Sequence, residues 1–207
     1  NLRNSSPSSS GIAISENISF IGAGNYASRV LIPAFKKNGA NLNTLSAKNG
    51  INPFFFGKKF GFNKATTDNQ DIFNDKLCNS VVISTRHNSH ASLVKSALLA
   101  QKHVFVEKPL CLNFKELDEI KTTYYEVISK QKEGGFKPIL MVGYNRRFSP
   151  LIKKIKSDIE LYDQPKSFIY TCNAGHIGKD HWLNDPLVGG GRLVGEACHF
   201  IDILRYL

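Results

Sequence analysis

The sequence contains no apolar run long enough to cross a membrane and no Cys-x-x-Cys pair. Its four cysteines, Cys78, Cys111, Cys172 and Cys198, stand far apart, which excludes the usual zinc spacings; no metal ligand set is expected. Free thiols in a reducing cytoplasm are the simplest account of them. A basic-then-apolar leader is missing from the first residues, and Asn1 stands where an initiator Met would. The last residues, Ile203 to Leu207, stop inside an apolar helical pattern without a stop signal. Both ends are those expected of a fragment.

Acidic residues are scarce. There are 17 Asp and Glu against 27 Lys and Arg, for a formal charge of +10. Such a surface suits nucleic acid or anionic small molecules. The lysines are scattered (Lys36, Lys37, Lys58, Lys59, Lys153, Lys154, Lys156) rather than gathered in an arginine-rich stripe with interleaved aromatics. A solvated basic face that steers anionic ligands is therefore expected, with no nucleic-acid and no membrane partner. A hydrophobic fraction of 42% and a charged fraction of 21% are those of a soluble globular protein.

What is present begins with Ile18-Ser19-Phe20-Ile21-Gly22-Ala23-Gly24-Asn25-Tyr26-Ala27. An apolar run enters a G-x-G-x-x-A turn and a helical pattern follows. Gly22 permits the tight turn, Gly24 lets a pyrophosphate approach the backbone, and Ala27 lets the helix pack closely on the strand. Asn25 and Tyr26 open that helix, whose free N–H groups favour an anion.

Residues 1–16, rich in Ser and Asn, read as a linker or arm. From 17 to 144 strands and helices alternate. Strands are expected at 18–22, 41–47, near 65, at 81–84, 104–106 and 138–144. Helices are expected at 25–38, 53–60, 71–74, 89–101 and from Asn113 to about Gln131, where Gly134-Gly135 ends the pattern. Pro33 falls inside the first helix and should kink it, with Val30, Leu31, Ala34 and Phe35 on its buried side. This alternation implies an α/β fold with a doubly wound parallel sheet. Residues 145–207 then begin a second, incomplete domain. It contains a helix at 150–161 capped by Ser149-Pro150, a strand at 166–173, a glycine-rich loop and a last helix from about 195.

Ligands in such sheets bind beyond the carboxyl ends of the strands. Thr85, Arg86 and His90 follow the strand at 81–84, and Glu107-Lys108-Pro109 follows the next. A lysine there can help withdraw a proton from an alcohol. Asn145 and Arg147 suit polyhydroxylated or anionic substrates. Glu196, His199 and Asp202 recur every three residues on one helical face, and His199 can exchange a proton near neutral pH. No acid ends the second strand. Ser46 and Lys48 stand there, which tilts the choice of cofactor from NAD toward NADP.

The order G-x-G-x-x-A, E-K-P, N-R-R-F and G-G-G-…-H-x-x-D resembles the Gfo/Idh/MocA oxidoreductases over residues 17–207. The resemblance implies a Rossmann domain followed by an α/β domain that carries the substrate cleft and homo-oligomer contacts. It implies oxidation or reduction of sugars, cyclitols or nucleotide sugars with NAD or NADP. Gly22, Gly24 and Ala27 match the cofactor turn, Lys108 the lysine near nicotinamide and substrate, and His199 the proton-transfer histidine. Two positions depart from the pattern. Gly195 replaces an aspartate four residues before His199, which leaves Glu196 as the neighbouring acid. Arg86 replaces a proline. The string Asp180-His181-Trp182-Leu183-Asn184-Asp185-Pro186 resembles a narrower branch fused to a zinc-type alcohol dehydrogenase module, and makes His181, Trp182 and Asp185 substrate candidates. A non-catalytic dinucleotide sensor of the same fold is the alternative.

Overall fold

The computed structural model describes residues 16–49, 51–131 and 135–207. The expected arm at 1–16, except Glu16, and Gly134 of the expected helix stop lie outside the described residues. Six strands form one parallel sheet: β1 (Asn17–Ile21), β2 (Asn41–Ser46), β3 (Lys64–Thr66), β4 (Ser80–Ile83), β5 (His103–Val106) and β6 (Leu140–Val142). Their order is β3-β2-β1-β4-β5-β6, so the chain reverses direction across the sheet between β1 and β4. The registers pair Ile21 with both Ser46 and Ile83, and Val106 with both Ile83 and Val142. Most strands therefore end on one row, and their loops open onto one crevice.

Both faces of the central strands are buried. Ile21, Val81, Ile83, Val104 and Val106 pack on one side with Val94 and Leu98 of α4 (His90–Leu99) and Ile120 of α5 (Phe114–Ser129). Phe20, Leu42, Leu45 and Val82 pack on the other with Leu31 and Ile32. Neighbouring residues of one strand point to opposite faces, so a two-sided core requires the unbroken apolar runs seen here.

The helix after the glycine turn is wider than expected. Ala27–Leu31 forms a π-turn that runs into α1 (Ile32–Lys37), and Ile32 donates to the Ala27 carbonyl five residues back. Pro33 has no N–H and crowds the carbonyl four residues before it, and a π-turn just upstream relieves that crowding. The extra residue rotates the buried face. Leu31 and Ile32 are buried, whereas Val30 and Ala34 are exposed, contrary to the 3.6-residue spacing.

The remaining helices are α2 (Ile51–Phe60), α3 (Gln70–Phe73), α6 (Pro150–Ile159) and α7 (Cys198–Tyr206). Ser149 caps α6 by accepting from Ile152 N–H. The expected strand at 166–173 does not form. A strand exists only by pairing, and none of the described strands lies beside it. Ile169 is 94% exposed, while Tyr170 stacks on Phe200 of α7.

Candidate active site

Gly22 sits at φ +109°, and a Cβ there would lie 2.5 Å from the Ser84 carbonyl oxygen. Only glycine lets β1 and β4 part this closely at the switch point. A Cβ at Gly24 would meet nothing within 4 Å, so the turn leaves an open cradle above the helix. Ala27 is 1% exposed, consistent with a role in helix–strand packing. Asn25 is exposed, and the Tyr26 hydroxyl accepts from Asn145 Nδ2 at 2.8 Å.

Two cavities flank this cradle. One, of about 480 Å³, is lined by Gly22, Lys48, Thr67, Asn69, Arg86 and Ser89, among others, and has no acidic lining residue. The other, of about 380 Å³, is lined by Tyr26, Ser84, Thr85, His87, Glu107, Lys108, Asn145, Arg146 and His199. Thr85 borders both. An open glycine cradle between two cavities along the strand ends fits an extended dinucleotide, with its pyrophosphate at the cradle.

The second cavity gathers the titratable side chains Tyr26, His87, Glu107, Lys108, Arg146 and His199. Lys108 Nζ donates to the Gly195 carbonyl at 2.7 Å, which ties the end of β5 to the π-turn Leu193–Ala197 before α7. The Lys108–Pro109 peptide is cis. Glu107 is half-buried and its Oε1 has no partner among the described residues. A Cβ on Gly143 would come within 2.8 Å of that oxygen, so glycine there makes room for the carboxyl group. Burial pushes Glu107 up to about 7 against the pull of neighbouring Lys108. His199 is 9% exposed, and its Nδ1 is likewise unpartnered. Burial, then the positive charges of Lys108 and Arg146, push His199 down to about 4. Near neutral pH its imidazole is neutral, with a lone pair to accept a proton.

Several other residues named from sequence lie elsewhere. His90 is fully buried, with Nδ1 2.7 Å from the Pro109 carbonyl and Nε2 3.1 Å from the Thr85 carbonyl. It braces two loops and lines neither cavity. Ser46 is also fully buried and donates to Asn69 Oδ1 at 2.6 Å, which leaves Lys48 as the exposed group at the end of β2. Arg147 forms a two-bond ion pair with Asp202 of α7, its Nε 2.9 Å from Oδ2. Its neighbour Arg146 lines the cavity instead. Glu196 pairs with Arg192 at 2.8 Å and is not among the cavity residues. Glu196 lies inside the π-turn Leu193–Ala197, where the 3.6-residue spacing that would align it with His199 does not apply.

His181 and Asp185 organise a turn. His181 Nδ1 accepts from Leu183 N–H, and the Asp185 carbonyl accepts from Val188, Gly189 and Gly190. Trp182 stands edge-on to His87, with ring centroids 4.9 Å apart, and carries the Arg86 guanidinium at 5.8 Å. His87 itself was legible only as part of the loop after β4. It lies three residues before His90 in a helical turn, and that spacing is the one signal that could have singled it out.

The parallel sheet, its switch point and the glycine cradle define a doubly wound dinucleotide-binding protein. The Gfo/Idh/MocA model, described as an oxidoreductase family with an NAD-binding Rossmann fold, matches residues 17–127, and the chain belongs to that family. It is 32% identical over 162 residues to myo-inositol 2-dehydrogenase of Thermotoga maritima, covering 72% of this chain and 42% of that protein. It is 29% identical over 157 residues to levoglucosan dehydrogenase of Pseudarthrobacter phenanthrenivorans, covering 72% of this chain and 38% of that protein. The crystal structure of a probable dehydrogenase from Thermotoga maritima matches with a TM-score of 0.72 at 26% identity, over 92% of this chain and 54% of that one. A levoglucosan dehydrogenase in complex with NADH and L-sorbose shares the fold, with a TM-score of 0.69 at 24% identity over 93% of this chain and 52% of that one. The chain spans under half the length of these two curated relatives.

Proposed function

We infer that this chain is the cofactor-binding part of an NAD(P)-dependent oxidoreductase acting on a CH–OH or keto carbon of a sugar, nucleotide sugar or cyclitol. The observation that carries this reading is the meeting of Lys108, Glu107 and His199 in one cavity next to the glycine cradle. Bound nicotinamide would supply the hydride chemistry. Gly22, Gly24 and the N-terminus of the following helix would hold its pyrophosphate. Lys108, anchored on the Gly195 carbonyl, orients and polarises the reacting oxygen. His199 exchanges the proton, and Asn145 and Arg146 face the substrate hydroxyls.

Lys48 and Arg86 beside an acid-free cavity favour NADP over NAD, since both can meet a 2′-phosphate. In this reading residues after 144 open a substrate and oligomerisation domain. The protein works as a cytoplasmic homo-oligomer, away from membranes and nucleic acid. The string Asp180–Pro186 extends the reading to a chain in which this module follows a zinc-type alcohol dehydrogenase module, which the complete gene would test.

The central test is nicotinamide absorbance on mixing the full-length protein with NAD or NADP and a panel of cyclitols and sugars. Lys108→Ala should lower turnover by about 100-fold or more with cofactor binding nearly unchanged. Unchanged turnover would remove Lys108 from the mechanism.

A further inference from the structure

His87 is 6% exposed, and its ring lines the same cavity as Lys108 and His199. Its Nδ1 lies 2.8 Å from the Gly189 carbonyl oxygen. A carbonyl only accepts, so Nδ1 carries the hydrogen and Nε2 the lone pair. The packing holds this ring in place. Trp182 stands against one side, and a Cβ on Gly195 would lie 3.1 Å from His87 Cε1 and 2.3 Å from Leu183 Cδ1. Position 195 therefore admits no side chain while His87 and Leu183 occupy that space.

The two imidazoles of the cavity are unequal. His199 Nδ1 has no partner among the described residues. His87 has a fixed tautomer and a carbonyl placed to share the charge of an imidazolium, which is what a base needs in order to hold a proton.

We propose that His87 is a second base of this site and that, in place of the His199 role given above, its Nε2 receives the proton of the reacting hydroxyl, with the neutral His199 ring left to orient that hydroxyl. The proposal rests on the oxidoreductase reading given above. As the substrate C–H bond yields its electron pair as hydride to oxidised nicotinamide, the O–H bond breaks and an Nε2–H bond forms. The carbon becomes a carbonyl and His87 an imidazolium that still donates from Nδ1 to Gly189. Reduction runs the same exchange backwards.

The charged and titratable groups around the ring are Arg86 and His90 beside it in sequence, Tyr26 after the glycine turn, Lys108 and Glu107 from the end of β5, Arg146 beyond β6, and His199 of α7. Burial lowers the His87 pKa, the Gly189 bond opposes this, and His90 and Lys108 lower it further. Oxidation should therefore rise with pH along a limb below the usual histidine value.

The test is His87→Asn in the full-length protein. The Asn amide can keep the donor to Gly189 while removing the titrating nitrogen. The expected result is a fall in kcat of about 100-fold, loss of the acidic limb of the pH profile and unchanged cofactor affinity. Nitrogen NMR of the wild-type ring should place the hydrogen on Nδ1 and the lone pair on Nε2. A His87→Asn variant with wild-type kcat and pH profile, or a ring with its hydrogen on Nε2, overturns the proposal. Wild-type protein that turns over no alcohol with either nicotinamide overturns the oxidoreductase reading and this proposal with it. Active wild-type protein matched by the variant overturns this proposal alone.

Discussion

The sheet region up to β6 and the segment after it are built differently. The first supplies nearly all of the buried apolar residues, whereas the second adds Leu183 and Ile203. The second exposes Ile169, Leu187, Leu193 and Ile201, and reaches the first through side-chain hydrogen bonds. Asn145 donates to the Tyr26 hydroxyl, Lys108 holds the Gly195 carbonyl, and His87 holds the Gly189 carbonyl. Apolar burial stabilises the cofactor half from within. The second segment instead takes its position from hydrogen bonds around the cavity.

The largest break in this contrast should come from Phe20→Ala. Phe20 is fully buried on β1, with the rings of Phe35 and Phe62 edge-on at 5.5 and 5.8 Å. Its loss should cost about 3–5 kcal/mol of global stability, read from denaturant unfolding. Ile203→Ala, at a position only 3% exposed on α7, should instead raise amide exchange in α7 and leave the sheet protected. Equal loss of protection in both regions would show one cooperative unit.

Asp202→Asn should come next. It leaves Arg147 facing a neutral amide in a half-buried site and should weaken the docking of α7 by about 1.5–3 kcal/mol, read by hydrogen exchange.

The smallest effect is a pair of opposed pH slopes. Glu107 is raised to about 7, so the folded protein keeps a proton that the unfolded chain releases near 4.5. Its contribution to stability is lost as pH rises between those values. His199 is lowered from 6.5 to about 4, so its contribution is lost as pH falls through nearly the same window. In the wild type the two slopes offset each other. Between about pH 5 and pH 7 the melting temperature of Glu107→Gln should rise, and that of His199→Asn should fall. Parallel melting profiles for the two variants would contradict the opposed slopes.

The same contrast marks what could be read from the chain. The runs Val81–Ile83 and Val104–Val106 announce buried parallel strands because both faces of such strands must be apolar. Asn113 caps α5 by accepting from Glu116 N–H, as its spacing implies, although the Glu116 carboxylate reaches Leu112 N–H rather than the Asn113 N–H of a standard box. The two π-turns leave no trace in a 3.6-residue period, which by itself places Val30 in the core and Glu196 on the face of His199. His90 and His87 follow the same strand and look alike in sequence. Carbonyls that arrive from distant loops make one a brace and the other part of the cavity wall, and no local pattern encodes those partners.

The bond between Lys108 and residue 195 reads main chain, not side chain. Every amino acid offers the same carbonyl oxygen. The segment after β6 can therefore change many of its side chains and still hold this lysine, provided its backbone keeps the same path and position 195 keeps the glycine that His87 and Leu183 require. Exchange of this segment between relatives should keep the lysine anchored wherever the graft preserves that backbone path and the small residue at 195.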